Sequence, residues 1–291
     1  MQNVQIVTDS CAHFANAHLA SQYGITVVPN KITIGSRTYR EGVDLSPEEA
    51  FKLMAHETRA PVIEPPSAAD YLDVFTRLAR TADAIISIHV SREILPSFQR
   101  GKQAAQQLAG YNKIMLIDSQ SLTAGQAMLV RAAAKAVEQN DTLDEIVRVI
   151  RGAIERIYAV FYTESMNYIV QNKIIPPSQT ILGAMLGIKP FLTIEEGRLK
   201  PMEKVRTRIQ AVERLVEFAV EFTDIEDAVI LQHKPYMSEQ TRMLQDRLAV
   251  EFPGRHFPYM LYGPSLAALI GTDASGLVVL ESETVPVDDD F

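Results

Sequence analysis

Short aliphatic runs, spaced widely enough to leave a helix between them, constrain this chain more than any other feature. Residues 4–8, 26–28, 84–90 and 113–118 are rich in Val and Ile, while residues 98–109, 124–137 and 143–154 carry helical spacing. Strands alternating with helices build βαβ units and a mostly parallel sheet. Ile85, Ile86 and Ile88, like Ile114, Leu116 and Ile117, are apolar almost without a break. A strand covered on both faces reads this way, whereas a strand with one wet face alternates. The first 157 residues are therefore expected to form a three-layer α/β/α domain. A further helix is expected over 12–23. Ser46 before Pro47 and Glu49 marks one helix start, and the capping box Thr142-x-x-Glu145 marks another.

The second half follows another rhythm. Residues 191–199 read as a hairpin with Gly197 supplying a positive φ at its turn. An amphipathic helix over 206–222 puts Ile209, Val212, Leu215, Val216 and Ala219 on one face. Strands over 228–231, 257–262 and 277–280 and a helix over 238–248 complete a mixed-sheet α/β domain, residues 158–284. Met185 and Leu186 fall in a short helix. Residues 285–291, with Asp288, Asp289 and Asp290, form an acidic tail. No linker separates the halves, so they are expected to pack closely and form a crevice, a favoured place for ligands.

Composition narrows the function classes. The chain has 291 residues, 47% hydrophobic and 22% charged, and a net charge of −8. An acidic protein repels phosphate backbones, so no nucleic-acid partner is expected. Cys11 is the single cysteine, which excludes an intrachain disulfide and a cysteine-based zinc site. No signal peptide and no apolar run of about 20 residues is visible, which predicts a soluble cytoplasmic protein rather than an integral membrane one. The six histidines form no His-x-x-x-His pair, and neither glycine-rich nucleotide loop occurs, so no metal or cofactor is expected.

Ligands of open parallel sheets gather beyond the carboxyl ends of the strands. Three runs here end in polar groups: Thr8-Asp9-Ser10, His89-Val90-Ser91 and Asp118-Ser119. Taken singly, each has a structural explanation: Ser10 caps a following helix and Asp9 anchors the turn. Together they mark a candidate binding rim. Asp9, Ser10 and His89 also contain the residue types of a base, an orienter and a nucleophile, so a hydrolase or transferase is one alternative. A second candidate feature is apolar: Ile63, Ile94, Leu95, Phe98 and residues 266–270 fall in or beside loops. Buried core explains such residues as well as an apolar tunnel does. Lys200, Lys204, Arg206 and Arg208 form a basic cluster, either a solvated face or a docking site for an acidic partner.

Particular motifs resemble those of the DegV family along nearly the whole chain. They are residues 6–10 (IVTDS), 39–49 (YREGVDLSPEE, with Glu41 in place of an Asp), 117–121 (IDSQS) with Gly125, and 186–192 (LGIKPFL) through Gly197, Pro201 and Val205-Arg206-Thr207-Arg208. The resemblance implies a two-domain α/β protein holding a long-chain fatty acid between its domains and presenting it to a separate fatty acid kinase, with no chemistry of its own. It also implies changes at the head group. Ile63 stands where the family has Thr, Leu95 where it has Ser, Leu269 where it has His, and Asn172-Lys173-Ile174-Ile175 replace a Gly-Gly-Arg-Ile motif.

A carboxylate buried without donors costs several kcal/mol. Either Ser91, Ser97, Ser119 or His89 then supplies donors, or the ligand has no carboxylate, or the pocket has closed. The ligand-site residues expected on this basis are Thr8, Asp9, Ser10, Ile63, Ser91, Leu95, Ser97, Phe98, Ser119 and Leu269, with Arg206 and Arg208 docking the partner. The leading reading is a lipid carrier that is not an enzyme. The alternatives are an interaction protein that has lost its ligand and the hydrolase or transferase.

Overall fold

The computed structural model describes residues 3–16, 18–108, 110, 113–175 and 187–283. In chain order, the first half contains β1 (Val4–Asp9), α1 (Leu19–Gln22), β2 (Thr26–Val28), β3 (Lys31–Ile34), β4 (Arg37–Arg40), α2 (Pro47–Met54) and β5 (Val62–Glu64). It continues with α3 (Ala68–Leu78), β6 (Ala84–His89), α4 (Ser97–Gln107), β7 (Lys113–Asp118), α5 (Thr123–Glu138) and α6 (Leu143–Ile154). The second half contains β8 (Ile157–Thr163), α7 (Asn167–Gln171), β9 (Lys189–Glu195), β10 (Arg198–Val205) and α8 (Arg208–Val220). It ends with β11 (Ile225–Gln232), α9 (Glu239–Glu251), β12 (Tyr259–Leu261), α10 (Pro264–Ile270) and β13 (Ala274–Glu281). The short helix expected at Met185 and Leu186 and the acidic tail lie outside the described residues.

The four strands predicted from apolar runs form one parallel sheet in the order β2-β1-β6-β7. Tyr71 and Phe75 of α3 and Ala104 of α4 cover one face through Val7 and Ile85. The other face, through Ile6, Ile86 and Ile88, meets α5. The order reverses between β1 and β6, so their carboxyl ends, Asp9 and His89, flank the topological switch point.

The second sheet is mixed, in the order β10-β9-β8-β13-β11-β12. One face, with Phe161, Leu192, Val229 and Val278, belongs to the same core cluster as the first sheet. Its other face, with Val160, Leu277 and Val279, packs on Val212, Leu215 and Val216 of α8 and Leu244 and Leu248 of α9. Helix α5 lies between the sheets, touching β1 and β6 on one side and β8 and β13 on the other. Residues 123–130 of it are all buried, and its alanines let both sheets approach closely. The caps form as expected: Ser46 and Thr142 close capping boxes with Glu49 and Glu145.

Two expectations are corrected. The helix over 12–23 shrinks to the single turn of α1, because Ala12 pairs with Thr123 in a β-bridge and His13 N donates to Thr123 O. Ser10 therefore caps no helix. Secondly, Ile63 and residues 266–270 lie beside loops and not in them. Ile63 sits in β5, paired with Ile32 in a three-stranded antiparallel sheet β4-β3-β5, and residues 266–270 belong to α10.

Candidate functional site

At the switch point the expected rim is assembled, but it faces inward. Thr8, Asp9, Ser87, His89, Ser91, Ser97 and Gln126 all have no exposed surface. Asp9 accepts four hydrogen bonds. Cys11 N at 3.2 Å and Gln126 Nε2 at 3.1 Å reach Oδ1, while Val90 N at 2.9 Å and Ser97 Oγ at 2.8 Å reach Oδ2. Thr8 Oγ1 donates to Ile88 O at 2.8 Å. Tyr71 OH lies 2.5 Å from Ser97 Oγ. Since Ser97 gives its proton to Asp9, Tyr71 is the donor of that pair. Burial pushes the Asp9 carboxyl above its ordinary value, against the pull of its hydrogen bonds.

His89 sits in the same network, with Nε2 2.9 Å from Ser87 Oγ and Nδ1 3.4 Å from Ser97 Oγ. Phe98 stands edge-on to its ring, the centroids 6.0 Å apart. On the α4 side only Gly101 fits, since a β-carbon there would come within 2.6 Å of His89 Cε1. Burial drives the imidazole down to about 3, so it is neutral near pH 7 and its 3.8 Å approach to Asp9 is not an ion pair. The Asp9–Ser10–His89 constellation is not assembled. Ser10 Oγ turns away and donates to Glu41 Oε2 at 2.6 Å.

Glu41, marked in the sequence only as a motif position where Glu replaces Asp, is a second buried carboxylate beside this network. It accepts Asn30 Nδ2 at 3.0 Å and Ser265 Oγ at 2.6 Å on Oε2 and Ser265 N at 2.7 Å on Oε1. One carboxylate thus ties the ends of β1, β2 and β4 to the first turn of α10. Burial pushes its pKa up despite these bonds. Gln126 was passed over in the sequence, although a single polar residue inside the small apolar run 124–130 was the available signal.

Of the remaining hydroxyls, those of Ser91 and Ser119 are committed within the protein, whereas the buried Ser121 Oγ and Thr123 Oγ1 have no partner among the described residues. Ser91 Oγ donates to Gly197 O at 2.7 Å, and Ser119 Oγ donates to Ser121 O at 2.9 Å. The four groups offered as replacement donors for a head group (Ser91, Ser97, Ser119 and His89) therefore all have protein partners. Ile63, Leu95 and Leu269 are half-buried, and all three pack on the core cluster that the two sheets share. Helix α10 also contacts β5, which brings the Leu269 and Ile63 elements together. Asn172 Nδ2 donates to the carbonyls of Ala268 and Leu269 at 2.9 and 3.0 Å, closing the end of α10.

Two clefts flank His13 and Phe14. One, between α5 and β11–β12, offers about 130 Å³ to the centre of a water molecule, and the other, beside Glu41 and Pro264, about 280 Å³. Ile63, Leu95 and Leu269 line neither.

The basic cluster is only partly free. Arg208 Nε donates to Glu164 Oε1 at 2.7 Å, and Lys189 and Tyr162 also bond this carboxylate. Partial burial opposes its charge, but these donors outweigh it and hold Glu164 at about 2. Arg206 is exposed, and among the described residues no ion pair joins it. Among the described residues no group of His, Cys, Asp and Glu has a metal-binding arrangement, and no helix is long and apolar enough to cross a membrane.

A family model described as "Uncharacterised protein, DegV family" matches residues 3–282. A DegV domain-containing protein of Caldanaerobacter subterraneus subsp. tengcongensis is 29% identical over 282 residues, which is 95% of this chain and 98% of that protein. Among solved structures, a fatty acid binding DegV family protein of Streptococcus agalactiae superposes with a TM-score of 0.87 at 23% identity, covering 97% of this chain and 100% of that one. The Fatty Acid Kinase (Fak) B3 protein of Streptococcus pneumoniae, loaded with linoleic acid, superposes with a TM-score of 0.83 at 17% identity, covering 96% and 100%. The chain belongs to the DegV family.

Proposed function

We propose that this protein is a cytoplasmic lipid carrier that holds a long acyl chain between its two halves and presents it to a partner such as a fatty acid kinase, without catalysing a reaction itself. One observation carries the reading: Ile63, Leu95 and Leu269 are half-buried on the core that joins the two sheets. Three apolar side chains there, where the family resemblance puts the polar head-group residues, suit the hydrocarbon part of a lipid. Each methylene taken from water contributes about 0.8 kcal/mol. The names of the neighbouring fold relatives, one of them loaded with linoleic acid, support the same ligand class. Exposed Arg206 and the partly engaged Arg208 suit an acidic docking partner.

The head group is the finer part of the proposal. Because the four rim donors are already bonded to protein groups, the ligand's polar end is uncharged, held near water, or met by the unpartnered hydroxyls of Ser121 and Thr123. The same observation favours a second reading, a DegV-fold interaction protein that has lost its ligand. Native mass spectrometry of protein purified without detergent separates the two. The carrier reading expects an adduct with the mass of a lipid, removed by organic extraction. No adduct, together with no shift in melting temperature on adding oleate, leaves only the interaction protein.

A further inference from the structure

The tip of the β9–β10 hairpin is pressed against the first sheet. Glu196 and Gly197 form its two-residue turn, both with positive φ (50° and 76°), as a type I′ turn requires. Turn tips are ordinarily the wettest part of a hairpin. Here Gly197 is buried although Glu195, Glu196 and Arg198 around it are exposed. Its carbonyl accepts the Ser91 hydroxyl at 2.7 Å. A β-carbon at Gly197 would lie 2.4 Å from Ser91 Oγ, so glycine is needed for contact as well as for φ. Next to it, Arg198 pairs with Glu93, with Nη2 2.6 Å and Nε 2.8 Å from Oε2. Ser91 and Glu93 begin the loop that carries Ile94 and Leu95. The hairpin's own Ile194 and Leu199 are half-buried on the same shared core as Leu95.

We propose that this hairpin is a strap across the apolar region between the two halves, fastened by the Ser91–Gly197 hydrogen bond and the Glu93–Arg198 ion pair, and that its release admits and frees the ligand. The role in ligand exchange rests on the carrier reading above. The fastening itself is suited to such a duty. It consists of one hydrogen bond and one largely exposed ion pair, which close a contact firmly enough to order it and weakly enough to open. Segments that open are drawn from the less stable parts of a fold.

The test locks the strap. In Ser91→Cys/Gly197→Cys the hydroxyl that a β-carbon at 197 would meet is gone, and the β-carbons would stand about 3.5 Å apart, within the range a disulfide spans. The lock is read only in protein whose disulfide is verified by mass spectrometry, and the reduced form, which carries the same φ strain, is its control. Cys11, the native thiol, is buried and does not compete. Dissociation of cis-parinaric acid, followed by its fluorescence, is expected to slow at least tenfold in the oxidised protein and to recover with dithiothreitol. Ser91→Ala/Arg198→Ala is expected to release it several-fold faster than the wild type. Equal rates in the oxidised and reduced forms overturn the proposal. If cis-parinaric acid does not bind the wild type, the carrier reading fails first, and the strap is judged by amide hydrogen exchange over residues 189–205. Faster exchange there in Ser91→Ala/Arg198→Ala supports an opening strap, and unchanged exchange overturns it.

Discussion

Asp9 and Glu164 each stand at the end of a strand and gather hydrogen bonds, yet their surroundings oppose one another. Asp9 is fully buried, and its partners are two backbone amides, a serine and a glutamine, without a cation among them. Its pKa is raised. Glu164 is a fifth exposed, faces Lys189 and Arg208, and titrates at about 2. Dipoles satisfy a buried charge without fully offsetting its desolvation, whereas cations near water offset it easily. The first arrangement fixes a scaffold. The second leaves charged groups where another molecule can meet them.

The largest expected effect tests the scaffold half of this contrast. Asp9→Ala strands four donors, from Cys11, Val90, Ser97 and Gln126, in an enclosed site. Each buried donor left without an acceptor costs about 1–3 kcal/mol. The variant is expected to lose about 5 kcal/mol or more, much of a typical domain's stability, as read from urea unfolding. A loss below about 1 kcal/mol would mean that water enters the network and that the rim is not sealed.

His89 gives the next effect, through pH. Its folded value near 3 lies below the ordinary value of 6.5. Between these values the unfolded chain binds a proton that the folded chain refuses, so this group's contribution is lost as pH falls from 6.5 toward 3. The limiting slope is about 1.4 kcal/mol per pH unit, up to about 4–5 kcal/mol in all. Asp9 and Glu41, with raised values, bind protons on folding and act in the opposite direction. Comparing His89→Leu with the wild type isolates the histidine. The variant is expected to have a flatter stability profile below pH 6.5. Parallel profiles would show that the imidazole is protonated in the folded protein and that its site is wet.

The contrast also marks what could be read in the sequence. Strand β6 was legible because burial on both faces writes itself as an unbroken aliphatic run, while β1 and the half-buried edge strands β2 and β7 were legible from their Val- and Ile-rich composition alone. The caps were legible because they are local. The stretch from Ala12 to Ala20 is rich in alanine and reads as helix, but its pairing with Thr123 lies 111 positions away by simple subtraction and overrides propensity. The β4-β3-β5 sheet left a period-two trace in buried Ile32 and Ile34 that went unread. Rim hydroxyls were found by residue type, but their partners were not. Ser91 bonds a carbonyl 106 residues on, and Glu41 a helix start 224 residues on. Which way a hydroxyl points depends on such distant neighbours.

The smallest effect belongs to Arg208 and sharpens the surface half of the contrast. Its side chain is 71% exposed, so its pair with Glu164 contributes well under about 1 kcal/mol to folding. Arg208→Ala leaves Lys189 and Tyr162 on the carboxylate, and Lys189 holds it down more strongly than Arg208 does. The Glu164 pKa, followed by NMR of its carboxyl carbon, is expected to rise from about 2 yet remain below its ordinary value of 4.5. Because the folded value is depressed, the stability this group contributes is present above pH 4.5 and is lost as pH falls through its folded value. In the variant that loss should therefore be smaller and be complete at a slightly higher pH. A rise to 4.5 or beyond would make Arg208 the principal holder of Glu164. The arginine would then be tied into the fold and no longer free to meet an acidic partner.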